Sequence, residues 1–273
     1  SALESGLFNA EQIYYCGHSW NGLGTAYTKY DWTSEKGYAP SGNLNIIGAL
    51  RRSCNPWFYQ IGLSLHNWAD YFLPDMSRNF GLGKPTGIIG LQQSINEEVG
   101  GIIPSADWAE STGTLWTPAN TVHMAIGQGD IQVTPLQMAQ LYASLGNGGT
   151  IYRPQLVRSI AAPDESPIFE FQPEVVSKLP VSDSTLSAVR QGLWEVVNDP
   201  SGTANYRFRS MDIPIYGKTG TAEDRPRNPH AWFAGFTDAG RPDLPDFAAV
   251  IILENKGEGS EWAAPIFRRL VEV

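Results

Sequence analysis

With 273 residues, 42% hydrophobic and 17% charged, the chain can bury one large core or two small ones, and nothing in it reads as disordered. Nineteen Lys and Arg against 28 Asp and Glu leave a formal net charge of −9 without a basic cluster, which argues against nucleic acid as a partner. No apolar run approaches the roughly 18 residues of a membrane span and no signal peptide is recognisable, so any anchor would lie upstream of residue 1.

Ser1 to Gly6 reads as the last turn of a helix closed by glycine, an unusual opening that predicts a domain incomplete at its N-terminus. Residues 10–42 are rich in Gly, Tyr and Trp and predict loops and short strands. From Asn43 the spacing of Leu44, Ile47, Leu50 and Arg51 is helical. Ser53-Cys54-Asn55 interrupts it, and Pro56 starts a second helix, with Asn55 as the expected N-cap. A third helix is expected over about 67–80, ending at Gly81-Leu82-Gly83. Residues 84–132 read mostly as loop, with Gly127-Gln128-Gly129 near the end. Thr134-Pro135 opens a helix that Gly146-Asn147-Gly148-Gly149 stops, and 150–180 reads as short strands and turns. Ser182 caps a helix whose Leu186, Val189, Leu193 and Val197 share one face. Strands follow around Ile213–Thr221, Ala231–Phe236 and Phe247–Leu253. The chain closes in a helix near 262–272, with Pro265 in its first turn and Ile266, Phe267 and Leu270 on one face. The pattern predicts a single α+β domain over 1–273: a helical lobe at about 40–200, then antiparallel strands and a closing helix at about 210–273.

Cys16 and Cys54 are too few and too far apart for a zinc site, leaving two buried thiols or one disulfide as alternatives. His18, His66, His123 and His230 show no metal-ligand spacing, so no metal and no cofactor are expected. Lys218-Thr219-Gly220, followed by Thr221, is the strongest chemical signal. The ammonium and hydroxyl can hold a carboxylate, the glycine lets an extended peptide lie against a strand edge, and a backbone N–H near Thr221 can serve an oxyanion hole. Alone, the tripeptide reads better as a Gly-rich hairpin with a solvated lysine. Ser53-x-Asn55 recurs as Ser41-x-Asn43, Ser77-x-Asn79 and Ser94-x-Asn96; only the one at 53 sits in a stiff corner between apolar helices. There a hydroxyl can relay a proton and an amide can orient a carbonyl. Asn55 as a simple cap is the plainer alternative.

Taken in order, these segments resemble the transpeptidase domain of penicillin-binding proteins. The resemblance rests on Ala49–Tyr59 around Ser53-x-Asn55, Gly127-Gln128-Gly129 followed by Thr134–Ala139, Ser201-Gly202-Thr203-Ala204, Lys218–Ala222, Ala231–Phe236 and Ala249–Asn255. It implies a β-lactamase/transpeptidase-like fold and a D,D-transpeptidase that cross-links stem peptides ending in D-Ala-D-Ala, binds β-lactams and works on the extracytoplasmic face of the membrane. Ser53, Asn55 and Lys218 would be catalytic, and Lys218, Thr219, Gly220 and Thr221 would bind substrate. The family's S-x-x-K nucleophile has no counterpart: the residues three before each lysine are Ala26, Thr33, Gly81, Val175, Ile215 and Leu253. Either an upstream serine completes the enzyme, or the chain is a non-catalytic binding module; a serine β-lactamase or sensor domain shares the motif logic. A domain lacking its central helix would expose apolar surface and self-associate.

Overall fold

The computed structural model describes residues 1–88, 98–241 and 245–273; Ser94-x-Asn96 falls outside them. The first residues make one helical turn, with Ser5 N–H donating to Ser1 C=O at 2.9 Å, and Gly6 closes it in the left-handed region at φ 74°. The aromatic-rich segment then forms β1 (Tyr14–Cys16), β2 (Ser19–Trp20), β3 (Lys29–Tyr30) and β4 (Gly42–Leu44), with β1 paired to β4 and β2 to β3. Between them lies a helical turn that the sequence did not predict, α1 (Trp32–Glu35), whose Thr33 N–H is capped by the Asp31 side chain.

Helix α2 (Ile46–Arg52) begins later than its periodicity suggested. Leu44 belongs to β4, opposite Tyr14, and Asn45 caps the helix at Gly48 N–H. Helix α3 (Asn55–Ala69) follows after two residues. The expected third helix over 67–80 is α4 (Phe72–Asn79), because α3 runs on to Ala69 before the chain turns. The expected loop over 84–132 contains α5 (Ala106–Ser111) and α6 (Pro118–Met124). Both carried local start signals, a Ser105 cap and Thr117-Pro118, on pieces too short to show a period. Helix α7 (Pro135–Gly146) opens at Thr134-Pro135 as expected, and the structure adds a capping box between Thr134 and Gln137. The lobe then carries, within the stretch expected to hold short strands, β5 (Thr150–Tyr152), β6 (Ser159–Ala161), β7 (Pro167–Glu170) and β8 (Val175–Lys178) as two small antiparallel pairs. Helix α8 (Asp183–Asn198) and the turn α9 (Asn205–Phe208) lead into the sheet.

That sheet has the order β11-β10-β9 and is wholly antiparallel: β9 (Ile215–Asp224), β10 (Arg227–Thr237) and β11 (Ala248–Leu253). Residues alternate between its faces. Ala231 and Phe233 join Ala263, Ala264 and Phe267 of the closing helix α10 (Gly259–Glu272) in one core. Ala234 and Phe236 turn to the other face, against Tyr142 of α7 and Leu193 of α8. Burial on both faces explains why β11 reads as an unbroken apolar run rather than an alternating one. Helix α10 starts at Gly259, three residues before its expected onset, so Pro265 lies in its interior. Its buried face is Ala263, Ala264, Phe267 and Val271; Ile266 and Leu270 are exposed, against expectation.

A second core gathers Phe8, Cys16, Leu44, Ala49, Trp57, Ile61 and Leu65 between β1, α2 and α3. Within it Cys16 and Cys54 are joined as a disulfide, with Cα atoms 6.1 Å apart and a sequence separation of 38. Closing a loop of that length removes unfolded-chain entropy worth about 4 kcal/mol. The same bond pins the β1 ribbon to the turn between α2 and α3.

Candidate active site

The turn between α2 and α3 is stiff for a local reason. Ser53 sits in the left-handed region (φ 52°, ψ 44°), its N–H bonded to Leu50 C=O at 3.1 Å and the next N–H, of Cys54, to Ala49 C=O at 3.0 Å. This is the Schellman closure that helices usually make with glycine. A serine there stores strain of order 1 kcal/mol or more, so neighbours must hold it. Cys54, not Asn55, caps α3: its Sγ accepts Trp57 N–H at 3.4 Å, while Asn55 is already the first helical residue. The correction frees the Asn55 carboxamide from the capping role the sequence suggested.

Asp31, which the sequence reading passed over, ties this corner down. Fully buried, its carboxylate accepts the Thr33 N–H at 3.1 Å, the Thr33 hydroxyl at 2.6 Å and the Asn55 N–H at 3.0 Å. The neighbouring Trp32 donates its indole N–H to Arg52 C=O at 3.0 Å, and the Arg52 guanidinium lies 5.5 Å from that ring. Oxygen and sulfur atoms of Cys16, Asp31 and Cys54 lie within 4.8 Å of one another, but the disulfide uses both sulfurs, so neither is a thiolate ligand.

Strand β9 carries Lys218-Thr219-Gly220-Thr221 past this corner. Lys218 Nζ donates to Ser53 Oγ at 2.8 Å and to Thr219 C=O at 3.0 Å. No carboxylate pairs with it among the described residues. The residue keeps some solvent contact as a whole, yet burial of the ammonium end, uncompensated by a counter-ion, pulls its pKa down to about 8. A lysine so placed holds an anion when charged and can take a hydroxyl proton when neutral. The Thr219 hydroxyl is 3.1 Å from that of Thr203. The segment bearing Thr203 is itself fastened to α2, through Thr203 N–H to Arg51 C=O at 3.3 Å and Arg52 to Ser201 C=O at 2.6 Å. Gly220 is backed by α10: a Cβ on Gly259 would collide with the carbonyl oxygens of Gly220 and Trp232. Thr221 C=O accepts from the Gln128 carboxamide at 2.9 Å.

Of the residues read from sequence, the structure thus joins Ser53 directly to Lys218, puts Asn55 two residues further along the same corner, and sets Thr219, Gly220 and Thr221 consecutively on a strand whose other side faces no strand among the described residues. Asp31, Thr203 and Gln128 were missed as site residues, although Ser201–Ala204 and Gly127-Gln128-Gly129 stood out as segments. The histidines serve elsewhere: His66 Nδ1 meets the Thr121 hydroxyl, and His230 Nδ1 accepts Asn255 N–H.

The family model for the penicillin-binding protein transpeptidase domain matches residues 1–272. This chain belongs to that family. It is 29% identical over 251 residues to the peptidoglycan D,D-transpeptidase MrdA of Haemophilus influenzae, covering 85% of this chain and 36% of the relative. Among solved structures it is similar to Pseudomonas aeruginosa PBP2 in complex with WCK 5153 (27% identity, TM-score 0.80, 99% of this chain and 55% of the other). It is also similar to penicillin-binding protein A of M. tuberculosis in a ceftriaxone acyl-enzyme complex (25% identity, TM-score 0.78, 99% and 57%). The α+β arrangement of a helical lobe on an antiparallel sheet is therefore the transpeptidase fold.

The backbone at Ser53 can be tested apart from its hydroxyl. Ser53→Gly should stay within about 1 kcal/mol of the parent in thermal melts, because glycine adopts this conformation freely. Ser53→Val should lose about 1–3 kcal/mol, since a β-branched residue resists positive φ. Equal losses would show that the hydroxyl, not the backbone, sets the stability of this corner.

Proposed function

We propose that this chain forms the substrate-holding part of a D,D-transpeptidase that cross-links peptidoglycan stem peptides and is acylated by β-lactams. The observation that carries the reading is the 2.8 Å hydrogen bond between Lys218 Nζ and Ser53 Oγ, beside the open edge of β9. The chain spans between 36% and 45% of the length of the curated relatives it matches, and its sequence contains no S-x-x-K. In this reading a serine outside these 273 residues attacks the carbonyl of the penultimate D-Ala. Its oxygen forms an ester as the C–N bond to the terminal D-Ala breaks, and the leaving nitrogen takes up the proton. An amine of a second strand then displaces the serine oxygen. Ser53 passes protons between that serine and the leaving group, the Asn55 amide orients the donor, and Lys218 with Thr219 holds the terminal carboxylate. Thr221 N–H faces the same side as the Thr221 C=O, as in any extended strand, which suits an oxyanion donor. This chemistry belongs outside the cytoplasmic membrane. Among the described residues no helix is long and apolar enough to cross one.

Intact mass after incubation with excess penicillin tests the assignment of the nucleophile. The 273-residue chain should gain no adduct, while a longer form of the protein bearing S-x-x-K should gain one. A stoichiometric adduct on this chain would point to Ser53 and overturn the assignment; no adduct on the longer form would favour a non-catalytic binding module.

The role of Lys218 predicts a pH profile. Lys218 is charged below about 8 and neutral above it, so affinity for a peptide carboxylate should hold below pH 8 and fall by up to about tenfold per unit above it. A dissociation constant that stays flat between pH 6.5 and 9.5 would remove Lys218 from carboxylate binding.

The isolated chain should also self-associate. The outer edge of β11 has no strand partner among the described residues, and Trp262, Ile266 and Leu270 are exposed along α10. Light scattering that returns the monomer mass at every concentration would refute this.

A further inference from the structure

The outward side of β9 is not empty. In an extended strand a residue's N–H and C=O point the same way, and alternate residues point to opposite edges. Thr221 C=O and Glu223 N–H bond to Gln128 and not to β10, so Thr219, Thr221 and Glu223 turn their backbone groups away from β10, and Lys218, Gly220 and Ala222 turn theirs toward it. Of those outward groups, Thr219 C=O is taken by Lys218 Nζ. Thr221 C=O accepts from Gln128 Nε2 at 2.9 Å, and Glu223 N–H donates to Gln128 Oε1 at 3.3 Å. One carboxamide therefore makes the paired donor and acceptor contacts, to the C=O of residue 221 and the N–H of residue 223, that a residue of an adjoining parallel strand would make. The partners fix its orientation, because only the nitrogen can donate to a carbonyl and only the oxygen can accept from an N–H.

The loop is shaped to deliver this contact. Gly127 and Gly129, on either side of Gln128, both have positive φ (72° and 83°). Gln128 N–H bonds to His123 C=O at 3.0 Å, which anchors the loop to the end of α6. Gln128 itself is only half-buried, so its side chain can leave the strand without opening a core.

We propose that Gln128 is a specificity-determining positioning residue that stands in for the donor peptide on β9. It occupies Thr221 C=O and Glu223 N–H until an extended peptide with an amide N–H next to its reacting carbonyl displaces it. The inference rests on the reading of β9 as the peptide-binding edge. A ligand that pairs along β9 must break two hydrogen bonds to enter; a small carboxylate that needs only Lys218 and Thr219 breaks none. The device thus raises the threshold for peptides that engage the full edge relative to ligands that merely fill the carboxylate site.

The test is binding to the 273-residue chain by NMR titration, with diacetyl-Lys-D-Ala-D-Ala as the extended probe and D-alanine as the small one. Gln128→Ala should bind the extended probe about fivefold more tightly, the scale of one to two net hydrogen bonds, and D-alanine with unchanged affinity. Gln128→Met, close in size but unable to donate or to accept well, should match Gln128→Ala, which separates the lost contacts from lost packing. Without ligand, the Glu223 amide should exchange with solvent faster in both variants while the sheet interior does not change. Weaker or unchanged peptide binding in the variants overturns the inference. If Lys218→Ala still abolishes peptide binding in that case, the peptide-edge reading survives and only the role of Gln128 falls. If peptide binding ignores Lys218→Ala, or no chain binds the peptide, the site reading fails and the inference with it.

Discussion

A lysine ammonium buried without a counter-ion is the constraint around which the rest of this site is built. Lys218 reaches from the sheet to the helical corner and hydrogen-bonds Ser53. Because no carboxylate neutralises it among the described residues, burial pulls its pKa down to about 8, so it stays charged at neutral pH but loses the charge within reach of mildly alkaline pH. Pairing it with Asp or Glu would have been electrostatically easier, but would have cancelled the positive charge that this corner now presents. The site is therefore kept incomplete in charge, and hydroxyl and carbonyl oxygens supply its hydrogen bonds.

Such a site works only if Ser53 stays where Lys218 can reach it, and Ser53 occupies a conformation that serine resists. Three fastenings share the load. The Cys16–Cys54 disulfide grips the next residue, the Asp31 carboxylate grips the Asn55 N–H, and Trp32 grips Arg52 on the other side. They come from the aromatic-rich segment before α2, whose sequence predicts loops and short strands. Its irregularity is its use: a regular element could not present a capping carboxylate, an indole N–H and a disulfide to one short turn.

The strand side is fixed by close packing instead. Gly220 lies against Gly259 at the start of α10, at a separation that leaves no room for side chains. Strand β9 thus has its back to a helix, and among the described residues its other edge meets no strand, only the side chains of Lys218 and Gln128. A rigid back and a lightly occupied edge are what recognition by strand addition requires.

How much of this was legible in the sequence varied with the range of the cause. Local signals sufficed for α7, where Thr134, Pro135 and Gln137 form a capping box, for α8, whose apolar spacing is helical, and for the three sheet strands. The K-T-G and S-x-N motifs, read with their flanking segments, located the family, and the structure brings Lys218 of the first to Ser53 of the second. Local signals failed where distant contacts outweighed them. The backbone of Asn55 is spoken for by Asp31, 24 residues earlier, so Cys54 took the cap. Leu44 joined a strand because Tyr14 lay opposite it. Ile266 and Leu270 followed a helical spacing, but the packing of α10 on the sheet chose Ala263, Phe267 and Val271 instead. The sequence by itself determined which residues could do chemistry and most of the elements that carry them, because caps, prolines and apolar periods act within a few residues. Only the tertiary structure decided that Lys218 meets Ser53 across 165 residues of chain, that its charge is weakened, and that Gln128 lies on the strand edge. Burial and strand alternation are properties of the packed whole, and no local stretch of sequence encodes them.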